Sequence, residues 1–356
     1  MRVLFCQTFP YPPSEGGGAL SNTHELCQLL PAHGFEVAAL AGVRRDAWSS
    51  LRSFGRRRSG IEDRQLGYPV YRASDPLAAA ESLARKQRPD VAVVQVGDVL
   101  GLCRVFLTAG IPTIFYCHDW YTVPPPGELP SHPLLSFAAC SSALAERIRC
   151  KLNVETPVVP VLVQPDRYRT RTTRQVVTFV NPIPRKGVEI AFALAARRPD
   201  IPFEFVESWQ LRTRVAKMMQ SRVAHHGNVR LVRRSDDMRS IYGRSRIVLA
   251  PSLYHEAWGR IVSEAQVSGI PAIASNSGGL PEAVGPGGLI LDRDAPLSAW
   301  LEALGRLWDD PVEYERYARQ AAAYATRPEI QPGTVVARMI EVVKRSHAAT
   351  RRQSTA

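Results

Sequence analysis

Short apolar runs alternate with stretches of helical spacing along most of the chain. This is the pattern of repeated strand–helix units that build parallel sheets. Residues 2–6 read as a first strand, Val-Leu-Phe-Cys after Arg2. Residues 19–33 follow as a helix, with Leu20, Leu26, Leu29 and Leu30 at apolar positions and Gly34 to stop it. Residues 35–40 make the second strand. Further strands are predicted over 68–71, 89–95, 110–119, 137–142 and 157–163, with helices over 75–87, 99–109 and 143–151. Residues 44–64 are polar and basic around Arg56, Arg57 and Arg58, and are expected to form an irregular loop. Residues 166–174 are charged and lack an apolar period, so a linker between domains is placed there.

The pattern then repeats. Strands are predicted over 175–180, 201–206, 228–232, 246–250, 272–274 and 287–291. Helices are predicted over 188–197, 211–224, 296–309, 312–326 and 334–344, with residues 351–356 as a disordered tail. The fold class is therefore α/β, with two Rossmann-like βαβ domains over residues 1–166 and 167–333. A chain of 356 residues is long enough for both.

Composition narrows the picture in three places. No run of about 18 apolar residues occurs, so no transmembrane helix is expected. The start of the chain lacks the shape of a signal peptide. The six cysteines form no C-x-x-C pair and read as reduced, mostly buried thiols. These features point to the cytoplasm. The net charge of +12 favours anionic partners and leaves peripheral contact with the inner face of the membrane open. No nucleic-acid-binding motif is present, so nucleic acid is not expected as a partner.

Candidate chemistry centres on residues 255–265, His-Glu-Ala-Trp-Gly-Arg-Ile-Val-Ser-Glu-Ala. Pro251 and Ser252 close the preceding apolar run, and Gly269 to Pro271 stop the helix that follows. Glu256 then sits in a strand-to-helix loop and Glu264 about two turns into the helix, near the same face. The first N–H groups of that helix, at Gly259, Arg260 and Ile261, suit a diphosphate. Gly16, Gly17 and Gly18, after the first strand, let a backbone approach a phosphate. Their spacing is not G-x-G-x-x-G, and no acidic residue closes the second strand, which argues against a dinucleotide-dependent oxidoreductase. His118 ends a strand, and ligands lie at the carboxyl ends of such strands. Asn181, Arg185, Lys186 and Gly187 lead into the helix at 188. Neither metal nor cofactor is expected.

Glu256 and Glu264, with Trp258-Gly259 between them and Gly269 to Pro271 after them, resemble the signature of the retaining, two-domain (GT-B) family-4 glycosyltransferases. The resemblance implies two domains facing across a cleft, with the donor on the second domain and the final helix, 334–350, returning to the first. It implies that Glu256 faces the donor sugar and Glu264 holds the nucleotide ribose. The N–H groups of Gly259, Arg260 and Ile261 would meet the diphosphate, and Gly17 and Gly18 the donor phosphates and acceptor. His118 would lie near the reacting centre. The loop after residue 232, beginning with Arg233, would cup the nucleobase. Residues 181–187 resemble the G-R-x-x-x-x-K-G loop that holds the leaving diphosphate. Lys186 matches it, whereas Asn181 stands where the arginine is expected, and Arg185 precedes Lys186 as a candidate replacement. The implied reaction moves a sugar from a UDP- or GDP-sugar to a hydroxyl of a sugar, lipid-linked or small-molecule acceptor, with retention. A nucleotide-sugar epimerase or phosphorylase of the same architecture, and a non-catalytic nucleotide-sugar-binding protein, are the alternatives.

Overall fold

The computed structural model describes residues 1–12, 17–43, 60–129, 131–208 and 213–353. Residues 56–58, Gly16 and the last three tail residues lie outside them. The chain divides into two compact units. The first contains Met1–Leu162 and Pro332–Ala356, and the second Val163–Gln331.

The first unit is a seven-stranded sheet in the order β3-β4-β2-β1-β5-β6-β7. Its strands are β1 (Arg2–Pro10), β2 (Glu36–Gly42), β3 (Ile61–Asp63), β4 (Val70–Ala73), β5 (Val91–Val96), β6 (Thr113–Cys117) and β7 (Leu135–Ala139). All pairings are parallel except β3 against β4. The helices are α1 (Gly18–Leu29), α2 (Pro76–Gln87), α3 (Val99–Thr108) and α4 (Ser142–Leu152). Asp75, Asp98 and Ser141 cap the last three by accepting from Ala78, Gly101 and Leu144 N–H. The last helix of the chain, α12 (Pro332–Gln353), packs on β5, β6 and β7. Ser346 and Ser136 are hydrogen-bonded at 3.2 Å, so the chain ends in the unit where it began.

The second unit is a fully parallel six-stranded sheet in the order β10-β9-β8-β11-β12-β13. Its strands are β8 (Val176–Val180), β9 (Phe203–Val206), β10 (Val229–Val232), β11 (Ser245–Ala250), β12 (Ala272–Ser275) and β13 (Gly288–Leu291). The helices are α5 (Val188–Arg197), α6 (Thr213–Ala224), α7 (Arg239–Tyr242), α8 (Arg260–Gln266), α9 (Leu280–Val284), α10 (Leu297–Trp308) and α11 (Pro311–Tyr324). Every residue of β8 is buried, as expected where helices cover both faces of a parallel sheet. One core joins Phe179, Phe192, Phe205, Trp300 and Leu304, with the Phe192 and Phe205 rings 4.8 Å apart and edge-on.

Four expectations need correction. The strand expected over 157–163 is only a bridge between Ala139 and Val158. Pro157 and Pro160 lack the N–H groups a ladder needs. Part of the expected loop over 44–64 is strand β3, held as an edge by its antiparallel pairing. The stretch over 166–174 does not hang between domains. Tyr168 is buried in the second unit, and Thr170 N–H donates to Ser268 Oγ at 2.9 Å. Thr173 N–H likewise donates to Gly243 O at 2.8 Å. Finally, helix α12 continues through Gln353, into the expected tail.

Candidate active site

In the second sheet the chain leaves β8 toward β9 on one side, while β11 pairs with β8 on the other. Between β8 and β11 lies the topological switch point, where open α/β sheets bind ligands beyond their carboxyl ends. The loops that leave these two strands carry residues 181–187 and 251–259. The sheet thus brings the two main sequence motifs together.

The first loop is built by left-handed backbone. Asn181 has φ 63°, a conformation asparagine tolerates better than most side chains. Its Oδ1 accepts from Ser208 N–H at 3.1 Å, and its backbone oxygen accepts from Ile183 N–H at 2.8 Å. Asn181 is buried, so it shapes the turn rather than presenting charge. A 3₁₀ turn (Pro184–Lys186) follows and ends at Gly187, φ 81°. A Cβ on Gly187 would lie 1.9 Å from Pro251 O. Arg185 O accepts from Leu253 and Tyr254 N–H at 3.0 and 3.2 Å, which fastens the loops together. The exposed Arg185 guanidinium lies over the Tyr254 ring, 5.3 Å from its centroid.

Through this fastening, Lys186 Nζ donates to Glu256 Oε1 at 2.5 Å. The Ser252 hydroxyl donates to the same oxygen. The lysine and glutamate side chains keep 20% and 13% of their surface, so the pair is half-buried yet open to solvent. Glu256 is held from behind as well. Gly279 N–H donates to Glu256 O at 2.8 Å, and a Cβ on Gly278 would lie 2.1 Å from that oxygen. Trp258 is buried, and its indole N–H donates to Ser263 Oγ at 2.9 Å.

Gly259 caps α8 with φ 110°, and α8 itself spans seven residues. The backbone of Arg260 and Ile261 opens this helix. The Arg260 side chain turns away into the protein, where its Nε donates to Glu264 Oε1 at 2.7 Å. Its terminal nitrogen donates to the Tyr168 hydroxyl at 2.8 Å. Tyr242 OH donates to Glu264 Oε2 at 2.8 Å. Burial, reinforced by the Glu264 charge, pushes the Tyr242 hydroxyl well above its ordinary pKa, so it stays a donor. Arg233 is exposed at the end of β10. Burial raises the pKa of the Glu207 carboxyl at the end of β9, while the Arg233 charge works in the other direction.

Ser252, Tyr242 and Tyr168 were not found from sequence. Ser252 had a signal, its position closing the strand before Glu256. The tyrosines reach Glu264 and Arg260 over sequence separations of 22 and 92 residues, which no local pattern reveals.

In the first unit, Gly17 precedes α1 with φ 147°, and Gly18 is its first residue. His118 follows β6. Its ring packs edge-on against Tyr116 at 4.0 Å, and its Nε2 lies 3.4 Å from Asn22 Nδ2. Asn22 is fully buried on α1, and its Oδ1 accepts from Leu162 N–H at 2.7 Å. The helix that begins at Gly18 therefore also braces His118.

Residues 163–324, which hold both loops of the second unit, match the sequence model of the Glycosyl transferases group 1 family. These residues are therefore similar to a group 1 glycosyltransferase domain. A D-inositol 3-phosphate glycosyltransferase of Arthrobacter sp. (strain FB24) is 30% identical over 198 residues, 49% of this chain and 46% of that protein. The chain spans less than half the length of such curated relatives. Anabaena Alr3699/HepE, solved in complex with UDP-glucose, superposes with a TM-score of 0.76 at 17% identity, covering 97% of this chain and 99% of that one. Sucrose-phosphate synthase from Thermosynechococcus elongatus gives 0.77 at 16% identity, covering 98% and 100%. The shared fold is α/β with two Rossmann-like parallel sheets. Among the described residues no helix is long and apolar enough to cross a membrane. No group of three or more His, Cys, Asp and Glu side chains that could hold a metal ion occurs among them.

Proposed function

We propose that this protein transfers a sugar from a UDP- or GDP-sugar to an acceptor hydroxyl with retention of anomeric configuration. The observation that carries the reading is the Lys186–Glu256 contact, formed at the switch point of a sheet whose residues match the group 1 glycosyltransferase model. A structural neighbour solved with UDP-glucose supports the donor class. The acceptor is a sugar, a lipid-linked saccharide or a small metabolite, and the basic chain meets the inner membrane face peripherally when the acceptor is lipid-linked.

The reaction breaks the bond between the anomeric carbon and the β-phosphate oxygen. A bond to the acceptor oxygen forms on the same face, and the acceptor proton passes to the leaving phosphate. Positive charge grows on the sugar ring and negative charge on the diphosphate, so fixed positive potential at the leaving group is the main catalytic need. Lys186 supplies it, assisted by Arg185 and by the N–H groups of Gly259, Arg260 and Ile261. Glu256 accepts from sugar hydroxyls, and Glu264 from the ribose. Asn181 shapes the diphosphate loop, and the backbone at Gly17 and Gly18 suits contact with a phosphate. Arg233 opens the loop beside the base, and His118 is assigned to the donor sugar. No cofactor or metal is assigned.

A thermal-shift screen of nucleoside diphosphates and nucleotide sugars tests the donor. Proton NMR of the glycosylated product then reads its anomeric configuration. Inversion, or turnover of the donor to an epimer with no acceptor present, would overturn the reading.

A further inference from the structure

The charged residues around Glu264 are arranged more tightly than a plain surface carboxylate requires. Glu264, Arg260, Tyr168 and Tyr242 are 7%, 6%, 8% and 0% exposed. Each carboxylate oxygen has its own donor, Arg260 Nε on Oε1 and Tyr242 OH on Oε2. The guanidinium is fixed in turn by the Tyr168 hydroxyl and lies over that ring, 5.6 Å from its centroid. Two anchored oxygens leave the carboxylate one orientation. The Glu264 side chain still keeps 9% of its surface, so it offers a ligand a small, fixed edge. Tyr242 and Tyr168 come from a different part of the chain from α8, and pack with Val248, Ala265 and Ile270. The network therefore ties the orientation of Glu264 to the core beneath the sheet.

We propose that Tyr242 and Arg260 are positioning residues that aim Glu264 at the two hydroxyls of the nucleotide ribose, and that this aim is what distinguishes a ribonucleotide from one without the diol. The inference rests on the reading of Glu264 as the ribose ligand. A carboxylate already oriented and desolvated gains more from a hydroxyl donor than one that must first be ordered.

The test is calorimetric titration of UDP and GDP against their 2′,3′-dideoxy counterparts. For whichever base binds, the wild-type protein is expected to favour the ribose form by roughly tenfold or more, the value of hydrogen bonds to a charged acceptor. Tyr242→Phe removes one hydroxyl and keeps the ring. It is expected to cut that preference to about threefold or less, while affinity for the dideoxy form changes less than about twofold. Tyr168→Phe loosens Arg260 from behind and is expected to give a smaller change in the same direction, which keeps the test open should Tyr242→Phe fold poorly. An equal loss for both nucleotides would mark the network as merely structural and overturn the inference. So would a wild-type protein that binds both forms alike, although nucleotide binding itself would then stand. Failure of the wild type to bind either diphosphate would overturn the functional reading and this inference with it.

Discussion

Lys186 Nζ and Glu256 Oε1 stand 2.5 Å apart although 70 residues separate them. Their loops leave neighbouring strands β8 and β11, and backbone bonds to Arg185 O fasten one to the other. Lys186→Ala and Glu256→Ala are each expected to lower transfer about 10²-fold, about 2.7 kcal/mol at the transition state. Because the two side chains share one contact, the double variant should lose far less than the product of the single losses. Steady-state release of nucleoside diphosphate measures all three. Near-wild-type turnover in either single variant, with a confirmed donor, would remove the pair from the site.

Gly187 is where the two loops touch. Its φ of 81° costs any other L-residue about 1–2 kcal/mol, and the close approach of Pro251 O leaves no room for a methyl group. Gly187→Ala is expected to destabilise the second unit by about 2 kcal/mol or more and to reduce transfer by displacing Lys186. Gly34→Ala provides the comparison, because Gly34 has φ 79° with nothing within 4 Å of its Cβ. It should show only the backbone cost. Urea midpoints for the two variants separate these contributions, and equal losses would mean the contact with Pro251 is unimportant.

These two loops also show how much could be read before the structure. Helix α5 falls on the residues its apolar period indicates, because Val188, Ala191, Leu194 and Ala195 all reach the core. Lys186 and Glu256 stood out because glycine, proline and charge cluster at their loops. The role of Asn181 was harder to read. A substitution that looks like a lost cation is, in the fold, a left-handed turn with a buried amide. The neighbours of Glu264 were out of reach, because Tyr242 meets it, and Tyr168 meets its partner Arg260, only through tertiary packing. Strand β3 was hidden in a polar run, since an edge strand of three residues needs little apolar sequence.

Asn22 joins α1 to both His118 and Leu162. Asn22→Ala would leave the buried Leu162 N–H without its acceptor, at a cost of about 1–3 kcal/mol. It would also remove the Asn22 contact with His118 Nε2. The expected result is a lower melting temperature together with reduced kcat. His118→Ala should reduce kcat by roughly tenfold or more while leaving stability nearly unchanged, because the histidine is only half-buried. A His118→Ala variant with unaltered kcat would confine the residue to packing against Tyr116.

Five of the six cysteines are buried and Cys150 is exposed, hydrogen-bonded to Glu146 at 3.1 Å. In the native protein a chromogenic disulfide reagent at pH 8 should therefore titrate one thiol, slowed because the bond to Glu146 raises the Cys150 pKa, and the other five only on unfolding. Burial pushes the Cys117 thiol up to about 11 and Cys103 up to about 12, from an ordinary value of 9.0. Below pH 9 both folded and unfolded chains keep these protons, and the full stability is present. As pH rises from 9 toward 11 and 12, the unfolded chain loses them first, so stability falls. Buried Tyr242, also raised by burial, adds to this loss above pH 10. Melting temperature should thus be nearly flat to about pH 8.5 and fall progressively above 9. Cys117→Ala should make that fall shallower, and an unchanged slope would show that this thiol ionises alike in both states.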